Sequence, residues 1–354
     1  MRTALFTGAG ASKAIGYPLT KELLPRVRLG LGDRTLFEGS NGAKRDQDDR
    51  DRLERYLIRL LPGFRTAQEA HLPLITDVFS LVDYAIASGE SLPVGGDREL
   101  RDFRDLLKHA ITNILIGEYL TPWDAGSEED RRKQRVVEGF VGWLQQQGQE
   151  LALITTNYDI GLESELYERI GPGRVSEVID LGYDWRDAGT NRERRRPAEP
   201  ELNIFKLHGS LDVLRCRHCG YVYFNPYGTI SLRAFDAELS DHNTCICRDD
   251  EKLELHIVSP SMVRDIREAN LLSVWRSSLE WMRCAERWIL FGYSLPPEDL
   301  AIRSLLLRAR AGAKKAPELV VVQQGESARP VYEMLFPGCR YMAGGVEEFI
   351  QAGG

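Results

Sequence analysis

The stretch Thr3–Thr7 (TALFT) is apolar through its whole core and runs straight into Gly8-Ala9-Gly10-Ala11-Ser12. Side chains of a strand alternate between two faces, so a strand without polar alternation must be covered on both sides. The same form returns at Leu151–Thr155 (LALIT), Asn203–Leu207 (NIFKL), Trp288–Phe291 (WILF) and Glu318–Gln323 (ELVVVQ). Helical patterns stand between them. One covers 19–27, opened by Pro18 and Thr20, and another runs through Leu162, Leu166 and Ile170. Apolar strands alternating with helices predict an α/β fold, a Rossmann-like parallel sheet with helices on both faces.

Two stretches interrupt this pattern. Between Asp46 and Gln147 the apolar residues fall at helical spacing, as in Leu53/Leu57/Leu60, Val78/Val82/Ile86, Phe103/Leu107/Ile111/Ile114 and Val137/Phe140/Leu144. A helical insertion over 46–147 is expected. A second insertion over 215–252 carries four cysteines, so the sheet domain comprises 1–45, 148–214 and 253–354. The basic run Arg192–Arg196 is expected to be a solvated, mobile loop, the alternative being a contact with a partner or nucleic acid.

Composition narrows the function classes. Hydrophobic residues at 43% and charged residues at 28% exclude a disordered or collagen-like chain. A net charge of −7 and a pI near 5.6 exclude nucleic-acid binding through bulk charge. No apolar run approaching the roughly 20 residues of a membrane helix stands out, and a cytosolic protein is expected. Its six cysteines would then be reduced.

Chemistry-bearing residues gather at strand ends, where open α/β sheets bind ligands. The Gly8–Ser12 turn would let backbone N–H groups approach a diphosphate, although Lys13 stands where the third glycine of the dinucleotide fingerprint belongs. The turn Thr156-Asn157-Tyr158-Asp159 offers an amide and a carboxylate, or merely an Asx turn capping the next helix. Lys206-Leu207-His208-Gly209-Ser210 offers an imidazole able to act as a base near neutral pH. Phe291-Gly292-Tyr293-Ser294-Leu295 precedes a helix expected to open at Pro296, Pro297 and Glu298. Together the turns describe a nucleotide crevice.

Cys216-Arg-His-Cys219 and Cys245-Ile-Cys247 can supply four thiolates to a structural Zn²⁺, with His218 and His242 as substitute ligands and unmetallated thiols as the alternative. Four sulfur ligands leave no open position for water, so such a zinc would not be catalytic. Cys284 and Cys339 stand in apolar contexts and are expected to be core thiols.

The order GAGxS, TTNYD, KLHGS, cysteine module, FGYSL resembles the sirtuin (silent information regulator) superfamily. It is most similar to the bacterial sirtuin-like NAD hydrolases of antiviral defence. The resemblance implies NAD⁺ as substrate. It implies contacts to the NAD diphosphate from Ala9, Gly10 and Ser12, with Gly8 and Thr156 also in the cofactor site. It further implies Asn157 at the nicotinamide ribose or its attacking water, Asp159 at the nicotinamide amide, and His208 as base. Gly292 and Ser294 would line the adenosine side, with Gln324 and Val346 flanking the adenine. The chain departs from protein deacylases where Leu19-Thr20-Lys21 follows Gly16-Tyr17-Pro18 in place of Asp-Phe-Arg. It departs again where IVSPSMVRDIREANLLSVW, expected to be helical from about Val263, replaces a Phe-Gly-Glu loop.

The expectation is therefore an NAD⁺ glycohydrolase giving nicotinamide and ADP-ribose, acting in anti-phage defence by NAD⁺ depletion. The resemblance also implies a regulatory partner such as a HerA-type ATPase or a short Argonaute. The amphipathic segments of the helical insertion predict a homo-oligomer, and the acidic charge predicts no direct nucleic-acid binding; no membrane binding is expected. The alternatives are an NAD-dependent protein deacylase and a non-catalytic subunit that binds NAD or ADP-ribose.

Overall fold

The computed structural model describes residues 1–38, 43–235, 244–262, 268–297 and 299–353. The chain starts with β1 (Thr3–Thr7), the short α1 (Ala9–Lys13) and α2 (Thr20–Gly32). The helices α3 (Ala43–Leu60), α4 (Ile75–Ser88), α5 (Asp97–Leu120) and α6 (Glu128–Gln147) follow, then β2 (Leu151–Thr155) and α7 (Gly161–Ile170). After α8 (Val175–Val178) and β3 (Ile179–Asp180) come β4 (Trp185–Asp187), β5 (Glu193–Arg194), β6 (Leu202–Lys206), β7 (Gly209–Cys216) and β8 (Val222–Phe224). The chain continues through β9 (Thr244–Cys245), β10 (Arg248–Ile257), α9 (Ala269–Cys284), β11 (Arg287–Phe291), α10 (Leu300–Ala311) and β12 (Glu318–Val322). It closes with α11 (Arg329–Leu335), β13 (Arg340–Met342) and α12 (Gly345–Gln351).

Seven strands form a parallel sheet in the order β13-β12-β11-β1-β2-β6-β3. All five residues of β1 are buried, as are all five of β2, as expected of strands covered on both faces. One cover is α9, whose Val274 and Met282 are fully buried and whose Met282 carbonyl accepts from Trp288 Nε1. On the other face Phe140 of α6 packs on Phe291 and Trp143 on Phe349. The helices α3 to α5 pack among themselves and on α2, with Leu53, Phe79 and Phe103 fully buried.

A window not anticipated from the sequence, Glu69–Ser88, is long and apolar enough by length and composition to cross a membrane. Its helical part, α4, buries Ile75, Val78, Phe79 and Val82 completely. It also carries Asp83, 3.6 Å from Arg104 of α5.

The second sheet has six strands, β5-β4-β8-β7-β10-β9, mostly antiparallel. It extends the cysteine module on both sides, because β7 starts at Gly209 and β10 runs to Ile257. The basic run is not a free loop. Glu193–Arg194 forms β5, and Arg196 holds Asp180 through two bonds of 2.8 and 2.7 Å. Such a paired guanidinium is geometrically fixed. Cys284 departs from expectation, since it ends α9 with its side chain exposed; Cys339 is half-buried. The helix expected from about Val263 is described only from Ala269, where Glu268 accepts from the amides of Asn270 and Leu271; 263–267 lie outside the described residues. Glu298 and His242 also lie outside them, and the helix after Pro296-Pro297 starts at Leu300 with Asp299 as its cap.

Candidate active site

Strand order reverses beside β1. From β1 the chain builds β2, the edge strand β3 and then β6 between them on one side, before crossing to β11 on the other side and continuing through β12 and β13. Thr7 stands opposite Thr155 on one side and Phe291 on the other, so the turns after β1, β2 and β11 leave the sheet together at its switch point.

The first and last of these turns touch through backbone. Gly8 N–H donates to Phe291 O at 3.0 Å, Gly10 N–H to Gly292 O at 2.8 Å, and Ala11 N–H to Gly8 O at 2.9 Å. A Cβ on Gly10 would stand 2.9 Å from Gly292 Cα, and one on Gly8 2.7 Å from Tyr293 Cδ2. These glycines therefore serve the close approach of two turns, and their amides are engaged within the protein.

The hydroxyl of Ser12 is the hinge of the next contact. It donates to Asp159 Oδ2 at 2.7 Å and accepts from Asn157 Nδ2 at 2.8 Å. The second hydrogen of that amide goes to Gly8 O at 2.9 Å. Both amide hydrogens of Asn157 are thus spent on the β1 turn, and its Oδ1 is the atom left to meet a ligand or a water proton. Asp159 is buried, its Oδ1 accepting from Gly161 N–H. Burial first, then the charge of Glu163, push its carboxyl up to about 6, against the pull of Lys206 and Ser12.

His208 is buried just past β6, with Nδ1 3.2 Å from Thr156 O. A carbonyl accepts only, so Nδ1 carries the proton and the lone pair of the neutral ring lies on Nε2. The rings of Tyr158 and Trp275 flank it, each 6.3 Å away between centroids. Tyr158 donates to Val258 O at 2.7 Å and Val258 N–H to His208 O at 2.9 Å, which ties the segment after β10 over the imidazole.

Gly8, Asn157, Ser12 and Asp159 thus form one hydrogen-bonded cluster, and Gly10 is bonded to Gly292 beside it. The His208–Thr156 pair is tied to the β1 turn through Thr7, whose carbonyl accepts from Thr156 N–H at 3.1 Å. Ser294 is exposed one turn away. Gln324 pairs with Gly344 at the end of β12, one strand further out, and Val346 is buried in α12. Their link to the cluster passes through Gln323, whose amide donates to Tyr293 O at 2.7 Å. Lys206, Glu163, Tyr158 and Trp275 have no role in the sequence reading. Lys206 and Tyr158 stand within the strand-end motifs and Trp275 closes the segment that departs from the deacylases, but none of them is given a function there.

The chain is similar to solved Sir2 structures. One is Sir2Tm bound to a propionylated peptide, with 14% identity over 99% of this chain and 91% of that one and a TM-score of 0.45. A Sir2–p53 peptide–NAD⁺ complex gives 15% identity, 99% and 91% coverage, and a TM-score of 0.44. A mutant Sir2 homologue with ADP-ribose gives 16%, 99% and 89%, and 0.41. No family model and no curated protein matches the chain.

Away from this crevice, the sulfurs of Cys216, Cys219, Cys245 and Cys247 all lie within 4.8 Å of one another, with Cys216–Cys247 at 3.7 Å and Cys219–Cys245 at 3.4 Å. Tetrahedral zinc with bonds of about 2.3 Å needs sulfurs about 3.8 Å apart, so the four fit a structural Zn²⁺. Cys219 N–H approaches Cys216 Sγ at 3.4 Å, and Tyr223 O–H donates to Cys245 Sγ at 3.2 Å, as suits ligating thiolates. His218 is exposed and outside the sulfur cluster.

Proposed function

We propose that the chain cleaves the nicotinamide–ribose bond of NAD⁺, giving nicotinamide and ADP-ribose. The observation that carries the reading is the bond chain His208–Thr156, Asn157–Ser12–Asp159, which gathers an imidazole, a carboxamide oxygen and a carboxyl at the switch point of the sheet. Nicotinamide leaves as a neutral ring, so the barrier lies in positive charge developing at the anomeric carbon. Asn157 Oδ1 would stabilise that charge or hold the attacking water, and His208 Nε2 would take the water's proton. Zinc, held by the four cysteines, would serve folding alone.

Asn157→Ala and His208→Ala are each expected to abolish consumption of ε-NAD, followed by fluorescence, with melting temperatures close to that of the parent. Wild-type turnover in either variant overturns the assignment. An acetyl-lysine peptide in the same assay separates hydrolysis from deacylation: product carrying the acetyl group would make the chain a deacylase. Within this reading the chain is an effector of anti-phage defence, cytoplasmic, oligomeric, and restrained by a partner such as a HerA-type ATPase or a short Argonaute.

A further inference from the structure

The crevice stands on a buried charged cluster that NAD⁺ cleavage does not itself require. Lys206, the last residue of β6, donates from Nζ to Asp159 O at 2.5 Å and to Glu163 Oε1 at 2.8 Å, and both side chains of this ion pair are buried. Asp212 of β7, 1% exposed, meets Lys206 across a cavity of about 10 Å³ that Tyr167 and Tyr183 also line. Three buried carboxyls thus share one ammonium. A buried ammonium is tolerated only where it is paired and hydrogen-bonded. Here one of its bonds goes to the backbone of the residue whose carboxylate holds Ser12, and Ser12 in turn holds Asn157.

We propose that Lys206 is a positioning residue: its ammonium clamps the Asp159 carbonyl, keeps Asn157, Ser12 and Asp159 in register, and balances the charge of the three carboxyls beneath the crevice. The catalytic half of this inference rests on the NAD⁺ reading; the charge balance belongs to the fold alone.

The groups facing Asp159 are Ser12 from α1, Tyr17 from the loop after it, Glu163 from α7 and Lys206 from β6, with Asp212 of β7 acting through Lys206. Burial pushes Asp212, like Asp159, up to about 6, against the pull of Lys206. Both lie above the value of about 4 expected in the unfolded chain, so the folded chain binds protons that the unfolded chain releases. Their contribution to stability is full below about pH 4 and is lost as pH rises through about 6. Removing the ammonium moves that loss to higher pH; removing the Glu163 charge moves it to lower pH.

The test uses Lys206→Met, Glu163→Gln and the double variant, with melting temperature followed from about pH 4 to about pH 8 without nucleotide and NAD⁺ turnover measured beside it. Opposite displacements of the melting profile are expected, upward for Lys206→Met and downward for Glu163→Gln. In Lys206→Met kcat should fall on the order of 100-fold with KM within about threefold. If that variant fails to fold, the double variant, which removes both charges of the pair, carries the same expectation for kcat. If neither folds, Glu163→Gln decides alone: a downward displacement of its profile supports the charge balance, and an upward one or none overturns it. Displacements of one sign, or none, overturn the charge balance. A folded Lys206 variant with kcat within about twofold of wild type overturns the clamp. Opposite displacements in a protein that leaves NAD⁺ intact would sink the NAD⁺ reading and keep the charge balance.

Discussion

At Gly292 the backbone leaves β11 with φ at 62°, and a Cβ would stand 2.2 Å from Ala11 N and 2.6 Å from Gly10 C. Neither atom can swing away as a side-chain tip would. Gly292→Ala is therefore expected to cost about 2–4 kcal/mol and to part the two turns. Chemical denaturation checks the first effect. Calorimetry with NAD⁺, showing at least about tenfold weaker binding, checks the second. The glycines, Asn157 and His208 were legible because each follows an apolar strand directly. The duty of Ser12 was not, since nothing in the sequence tells whether a hydroxyl at a turn faces a ligand or the Asp159 carboxylate. Lys206 was obscured for the same reason: a lysine closing an apolar strand reads as its solvated end until Glu163 and Asp159 are brought beside it.

Among the elements, five of the seven parallel strands were read to within a residue at each end, because a short apolar run beside a glycine or polar turn has few alternatives; β3 and β13 were not read. The second sheet was visible only as a cysteine module. Strands of two or three residues such as β3, β5 and β9 carry no period to read, and the long pair β7–β10 alternates through a region where cysteines and charges dominate. Helix α6 illustrates the reverse problem. Its apolar stripe is plain, yet the stripe cannot say that Phe140 rests on Phe291 of the sheet. Cys216 and Cys245 are fully buried in their own small core with Leu214, Tyr223 and Leu253. Cys216→Ser should release about one zinc per chain and lower the melting temperature, as structural zinc contributes folding free energy directly. Elemental analysis finding far less than one metal in the parent would remove the zinc. Because β7 continues from this core to Gly209 beside His208, that variant is also expected to lose NAD⁺ turnover in part.

For the molecule as a whole, the site is assembled from turns after four neighbouring strands that come from distant parts of the sequence, so its geometry follows sheet integrity. Under the proposed function the chain would have to be restrained in its cell, and the proposed partner would act by shifting the population of open crevices. Mass photometry and turnover, measured with and without the product of the adjacent gene, test this. An oligomer of low activity that the neighbour stimulates is expected; a monomer at full rate, indifferent to any neighbour, would refute it. The central place of Thr3–Thr7 has a further consequence, for synthesis. Its hydrogen-bonding partners start at Leu151 on one side and at Arg287 on the other. A ribosome making the chain therefore releases the middle strand early and its second neighbour very late. Until Arg287 is made an apolar strand has an unpaired edge, and sheets built from such remote pairings form slowly. The nascent chain is a natural client for chaperones, and the turns after β1 and β11 cannot meet to form the crevice until β11 has docked.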